Sequence, residues 1–230
     1  NRLMFATLLT IANCTAPVLP TSVVWCVDVR ATSTTLESEL QVGHATVRGP
    51  AVLKAAPKQR VATVLAAARF EDIELRDGYA VSGGCLLVRN ATLELDNVRL
   101  SNCSAESRGG AVLAVQGSVV MTGGSVVDTS TAERGGGVAA DQAVVTVGPL
   151  VRVERCDALL EGGGFAVYGS RFEFFGRVSR CSAGDVGGGI HVSSSSHTLF
   201  GGTSVECTAI ADGGGLNVAS SSNVTIRGAV

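Results

Sequence analysis

Short apolar stretches recur along the chain, each introduced by glycines. Cys85-Leu86-Leu87-Val88, Ala111-Val112-Leu113-Ala114, Gly137-Val138-Ala139-Ala140, Gly164-Phe165-Ala166-Val167, Gly189-Ile190-His191-Val192 and Gly215-Leu216-Asn217-Val218 close this pattern. Their glycine clusters begin at Gly83, Gly109, Gly135, Gly162, Gly187 and Gly213, at spacings of 26, 26, 27, 25 and 26 residues. A second register lies six residues before each cluster, at Asp77, Cys103, Thr129, Cys156, Cys181 and Cys207. In four units an apolar residue precedes that position by three: Leu100, Val126, Val153 and Val178. Self-similarity at a fixed period marks a stacked repeat.

The segments between these anchors decide which repeat. Ala143-Val144-Val145-Thr146-Val147, Arg171-Phe172-Glu173-Phe174-Phe175 and Asn223-Val224-Thr225-Ile226 are β-branched or aromatic and mostly alternate, as half-buried strands do. No unit holds the helical run of a strand–helix repeat, and no L-x-x-L-x-L pattern occurs. The prediction is an all-β parallel β-helix solenoid, about 26 residues per coil, with three short strands in each. Coils stacked about 4.8 Å apart align equivalent residues in columns. Leu86, Val112, Val138, Phe165, Ile190 and Leu216 should point inward, as should Val88, Ala114, Ala140, Val167, Val192 and Val218. The glycine pair supplies a tight corner, through positive φ or close backbone approach.

Composition agrees and narrows the function classes. Gly 29 of 230 residues, with Trp 1, Tyr 2 and Phe 7, suits narrow ladders of Val, Ile and Leu. Lys+Arg 18 against Asp+Glu 20 gives a net charge of -2, a balance without the basic excess that would mark a footprint for nucleic acid or an anionic membrane. No apolar run approaches the ~18–20 residues of a spanning helix; membrane attachment would come only through segments outside this chain.

The run Leu100-Ser101-Asn102-Cys103-Ser104-Ala105, followed by Gly109-Gly110-Ala111-Val112, resembles the repeat of chlamydial-type polymorphic outer membrane proteins. Arg69-Phe70-Glu71-Asp72-Ile73-Glu74-Leu75-Arg76-Asp77-Gly78-Tyr79-Ala80 is similar to the coil that opens such arrays. The likeness covers residues 69–230; Cys or Thr stands for the family Asn, and Leu or Val for its Phe. It implies a right-handed, pectin-lyase-like β-helix and a non-enzymatic adhesin or display role, extracellular or on the cell surface. A host or neighbouring-cell surface protein or glycan would be the partner.

Residues 1–68 read as irregular coils of the same solenoid or as an insertion, with 69–230 the regular repeats of a longer protein. Leu3 to Ala12 fits a signal-peptide core, but Ile11-Ala12-Asn13-Cys14-Thr15-Ala16 matches the repeat anchor better. Thr34-Thr35-Leu36-Glu37 matches a capping box.

Enzymes on such folds need paired carboxylates or a base beside Ca²⁺ ligands. The outward columns after the glycine corner read Leu87, Leu113, Ala139, Ala166, His191, Asn217 and Arg89, Val115, Asp141, Tyr168, Ser193, Ala219. Asp141 is their one carboxylate, so no catalytic residues, metal ligands or cofactor are assigned. The alternative, a polysaccharide lyase or glycoside hydrolase, would need a cleft over the irregular segment with Glu37, Glu39, Asp72 or Asp77. Glu106, Glu133, Glu161, Asp185 and Asp212 recur before the glycines and read as solvated turn charges. Ser193 to Ser196 and Ser220 to Ser222 read as polar turns between strands, and His44 and His191 as surface residues. Cys103, Cys156, Cys181 and Cys207 should stack as a ladder of buried thiols; parallel neighbours are poorly aimed for disulfides, and the seven cysteines, with Cys14, Cys26 and Cys85, are an odd number that cannot fully pair. Asn13, Asn90, Asn102 and Asn223 begin N-x-[ST] sequons, of which Asn90 and Asn223 lie clear of the repeat anchor.

Overall fold

The computed structural model describes residues 23–24, 28–31, 33–36, 38–194, 196–220 and 222–227. The described residues form a parallel β-solenoid of about seven turns, with about 26 residues and three strands per coil and no helix. From Ala62–Val64 to Thr208–Ala209 each coil visits all three sheets, which have nine, fifteen and six strands. Sheet 1 runs from Val23–Val24 to Leu216–Val218, and sheet 3 from Tyr79–Ser82 to Thr208–Ala209. Sheet 2 bends along a corner at Asp72, Asn97 and Gly123, whose φ values are 54°, 53° and 58°. Ala68–Arg76 crosses that corner as one strand, whereas the next coil divides into Thr92–Asp96 and Arg99–Ser101.

Alternation dictates what the sheets bury. Leu86, Val112, Val138, Phe165, Ile190 and Leu216 are register partners across sheet 1. All are buried except Leu216, on the last described coil, which is half-buried; Val218 beside it is exposed, with no described strand stacked above it. The second inward column behaves alike, from Val88 to Val192. On sheet 2 an aromatic knot fills one stretch of the core: the Phe165 and Phe172 rings lie 5.1 Å apart, Phe174 and Phe200 5.3 Å apart.

The corner glycines at Gly83, Gly109, Gly135, Gly162, Gly187 and Gly213 all have φ between 63° and 66°. The second anchor register needs correction in two coils. Gly78 and Ser130, not Asp77 and Thr129, fall in the column of Cys103, Cys156, Cys181 and Cys207, since Ser104 pairs with both Tyr79 and Thr131. Val127, not Val126, aligns with Leu100 and Val153. The cause is a pair of compensating shifts. Gly123-Gly124-Ser125 is one residue longer than Asn97-Val98, and Thr131–Arg134 is one shorter than Ser104–Arg108. The glycine spacing therefore hides the slip.

The chain before residue 69 belongs to the same stack where it is described. Leu40–Val42 and Ala62–Val64 continue sheet 1, and Ala45–Lys54 pairs with Asp28–Arg30, Thr34–Thr35 and Ala68–Arg76. Thr34 and Thr35 are in a strand rather than at a helix start. The possible export segment, Asn13, Cys14, Cys26 and Glu37 lie outside the described residues.

Candidate functional site

The sheet 1 face that follows the glycine corner, expected to point outward, is covered over much of its length. Four of the six residues of the first outward column are buried: Leu113 is 2% exposed, Ala139 and Ala166 0%, His191 4%, while Leu87 and Asn217 at its ends are half-buried. The chain enters sheet 1 through a glycine corner that folds back over this face. An ideal Cβ on Gly135 would sit 3.0 Å from the Ala139 Cβ, and one on Gly187 2.9 Å from the His191 Cβ. Sheet 3 thus ends against the column, and its last residues supply charges that the column itself lacks.

Those charges form two groups on neighbouring strands, in which Asp141 and Tyr168 are register partners. Arg108 Nη1 pairs with Asp141 at 2.7 Å. Tyr168 donates its hydroxyl proton to Glu161 at 2.6 Å, and Arg134 Nε approaches the same carboxylate at 3.5 Å. His191 Nε2 lies 3.9 Å from Glu161 and its Nδ1 2.9 Å from Asn217 Oδ1. Burial, then the hydrogen bond to Glu161, pushes the Tyr168 hydroxyl well above its ordinary value; it stays a donor. Glu161 was legible only as a turn charge, because strand alternation does not reveal that sheet 3 delivers it beside Tyr168. His191 is a buried, hydrogen-bonded ring rather than a surface residue.

A second feature is a groove of about 660 Å³ on the bend of sheet 2, lined by Ser33, Pro50, Val52, Asp72, Glu74, Asn97 and Arg99 among others. The irregular N-terminal coil forms one wall. Asp72 accepts from Asn97 Nδ2 at 2.7 Å, and Glu74 from Ser101 Oγ at 2.9 Å. Asp77 is not in the groove; it accepts from Asn102 Nδ2 at 2.7 Å and faces Lys54 at 3.4 Å. Glu39 is likewise elsewhere, held by Arg60 at 2.9 Å and by the Thr63 hydroxyl. Of the described acids proposed for a cleft, Asp72 alone lines one, joined by Glu74.

The remaining candidates have structural explanations. Cys103 leaves the thiol ladder: it is disulfide-bonded to Cys85, 18 residues away, with Cα atoms 5.4 Å apart. Cys156, Cys181 and Cys207 are free, the first two buried. The Cys181 thiol is raised, mainly by its hydrogen bond with Cys156, and that of Cys207 by its hydrogen bond with Cys181 and then burial. The serine runs continue a ladder begun at Ser170: its Oγ accepts the Ala143 N–H at 2.9 Å, Ser196 Oγ accepts the Ser170 N–H at 3.2 Å, and Ser222 Oγ accepts the Ser196 N–H at 3.3 Å. His44 occupies a left-handed corner with φ 51°. Asn90 and Asn223 are exposed. Several corner acids are paired rather than merely solvated: Glu106 accepts from Tyr79 at 2.7 Å, and Glu133 faces Arg134 at 2.9 Å. Among the described residues no group of three or more His, Cys, Asp or Glu has metal-holding geometry.

No family model matches the chain, and neither a curated protein nor a solved structure does.

Proposed function

We propose that this chain is a non-enzymatic binding or display solenoid of an extracellular or cell-surface protein, of the adhesin-like kind its resemblance to polymorphic outer membrane repeats implies. One observation carries the reading. The two carboxylates facing the pectin-lyase-type position, Asp141 and Glu161, are each engaged by a guanidinium, at 2.7 and 3.5 Å. These contacts, with the Tyr168 hydroxyl on Glu161, already engage both carboxylates within the chain, which suits a fixed recognition surface better than proton exchange with a substrate. The alternative, a polysaccharide lyase or hydrolase, draws on the groove containing Asp72 and Glu74.

Both readings are tested by offering the purified chain cultured cells, and a panel of neutral and acidic polysaccharides assayed for new reducing ends and unsaturated uronate products. Saturable cell binding without product supports the proposal. Turnover abolished by Asp72→Asn or Glu74→Gln replaces it with the enzyme reading.

A further inference from the structure

The net charge of -2 conceals a segregated patch. Two consecutive coils carry the same motif on the second limb of sheet 2: Arg152-Val153-Glu154-Arg155 and Arg177-Val178-Ser179-Arg180. Arg152 and Arg177 are direct register partners. Arg155 and Arg180 hold the left-handed corner beside them, with φ 52° and 53°. The valines turn inward and are fully buried, so all four arginines are presented outward. The result is two parallel rows of guanidinium groups, with a step of about 4.8 Å along the solenoid axis. Arg99, across Val126 in the same row, extends one row.

These arginines exceed their acidic partners. Asp128 is shared by Arg99 and Arg155, the latter at 2.6 Å. Glu154 faces Arg152 at 3.6 Å, Arg155 at 3.5 Å and Arg180 at 3.9 Å. Arg177 is exposed and has no acidic partner among the described residues. Four of the five cations thus share two carboxylates, and the fifth has none among the described residues. Glu74 precedes Arg99 in its row and Glu206 follows Arg180 in the other, closing the strip at both ends. Side chains of Arg152, Arg155 and Arg180 are 54%, 46% and 55% exposed, open to a ligand from solvent.

We propose that this strip binds a linear sulfated polysaccharide laid along the solenoid axis. This deepens, and rests on, the reading of the chain as a cell-surface binding module. A planar guanidinium matches the oxygens of an anionic ester through two parallel hydrogen bonds, and a sulfate ester stays ionised throughout the physiological range. A row of such forks at a constant axial step suits a polymer with regularly placed charges. None of the outward positions from Arg99 to Glu206 on this limb is aromatic, so the stacking platforms that accompany single-stranded nucleic-acid binding are missing from the strip.

The test uses the whole chain with size-defined heparin oligosaccharides, with hyaluronan (carboxylate only) and with single-stranded DNA of similar charge, by titration at physiological salt. Heparin should bind at least ~10-fold more tightly than either competitor, and Arg177→Ser/Arg180→Ser should weaken it about 10-fold. Glu154→Gln should tighten it, a direction that misfolding cannot mimic. The control Arg89→Ser/Arg227→Ser, on other faces, should leave binding unchanged. Absent heparin binding, equal or better binding of DNA or hyaluronan, or an equal loss in the control overturns the proposal. Cell binding that survives Arg177→Ser/Arg180→Ser removes the strip but not the wider reading. Failure of the unaltered chain to bind cells removes the wider reading itself.

Discussion

At the scale of single residues, the paired corner glycines serve two separate needs. Gly135 takes a φ of 64°, whereas Gly136 is needed for space: a Cβ there would lie 2.3 Å from the Asp157 carbonyl oxygen and 2.6 Å from that of Gly163. Both atoms are backbone and cannot turn aside, so Gly136→Ala should cost at least ~2 kcal/mol in chemical denaturation. Gly169 shows the converse. Its φ is 54°, but a Cβ meets nothing closer than 3.6 Å, and the equivalent corner holds Asn90, Gln116, Gln142, Ser194 and Ser220 in neighbouring coils, all left-handed. Gly169→Asn should therefore be neutral or stabilise by up to about 1 kcal/mol, by restricting the unfolded chain; a loss as large as that of Gly136→Ala would contradict this account. The thiols give a pH dependence. With Cys181 and Cys207 raised above their ordinary 9.0, the folded chain keeps protons that the unfolded chain has released. Their contribution is complete below about pH 9 and falls as pH rises beyond it. Denaturation midpoints measured from about pH 8 to 11 should decline, and Cys181→Ala should flatten the decline.

At the scale of elements, the disulfide shows what a column-based reading detects and what it misses. Stacking neighbours such as Cys156 and Cys181 share a side-chain direction, and they are indeed unpaired. The bond forms within a coil instead, between the position before Leu86 and the turn that enters sheet 3. Later coils repeat this juxtaposition with glycine in place of the first cysteine: ideal Cβ atoms on Gly137, Gly164 and Gly189 fall 3.3, 3.6 and 3.4 Å from the sulfurs of Cys156, Cys181 and Cys207. Cys85 heads a series continued by Ala111 and these glycines, so the signal lay in the sequence, but across the coil rather than along the stack. Bridging residues 18 apart restricts the unfolded chain by an estimated ~3 kcal/mol. Cys85→Ala/Cys103→Ala should therefore lower unfolding free energy by about 2–4 kcal/mol, and a reducing agent should lower the unaltered chain alike. An equal response to reductant in the double variant would place the effect elsewhere.

For the whole molecule, periodicity made the axis, the coil length and most inward columns legible, because each depends only on neighbours along the chain. What depended on lateral geometry was hidden. The covering of Leu113, Ala139 and Ala166 and the meeting of Glu161 with Tyr168 both follow from how sheet 3 turns against sheet 1. One-dimensional stacking has a mechanical consequence as well, since each coil is held chiefly by the coils on either side. The aromatic knot joins the coil of Phe165, Phe172 and Phe174 to that of Phe200. Phe172 is fully buried, and Phe172→Ala should remove about 3–5 kcal/mol at that one junction. In a single cooperative core that loss would lower protection everywhere. In a linear stack it should loosen mainly the coils that follow it, where Leu216, Val218 and Ile226 are less buried than their counterparts in earlier coils. Hydrogen exchange followed by mass spectrometry should show peptides from residues 190–227 opening far sooner in Phe172→Ala, while those from residues 86–134 stay close to the unaltered chain. Uniform acceleration along the whole chain would mean that the coils unfold as one unit.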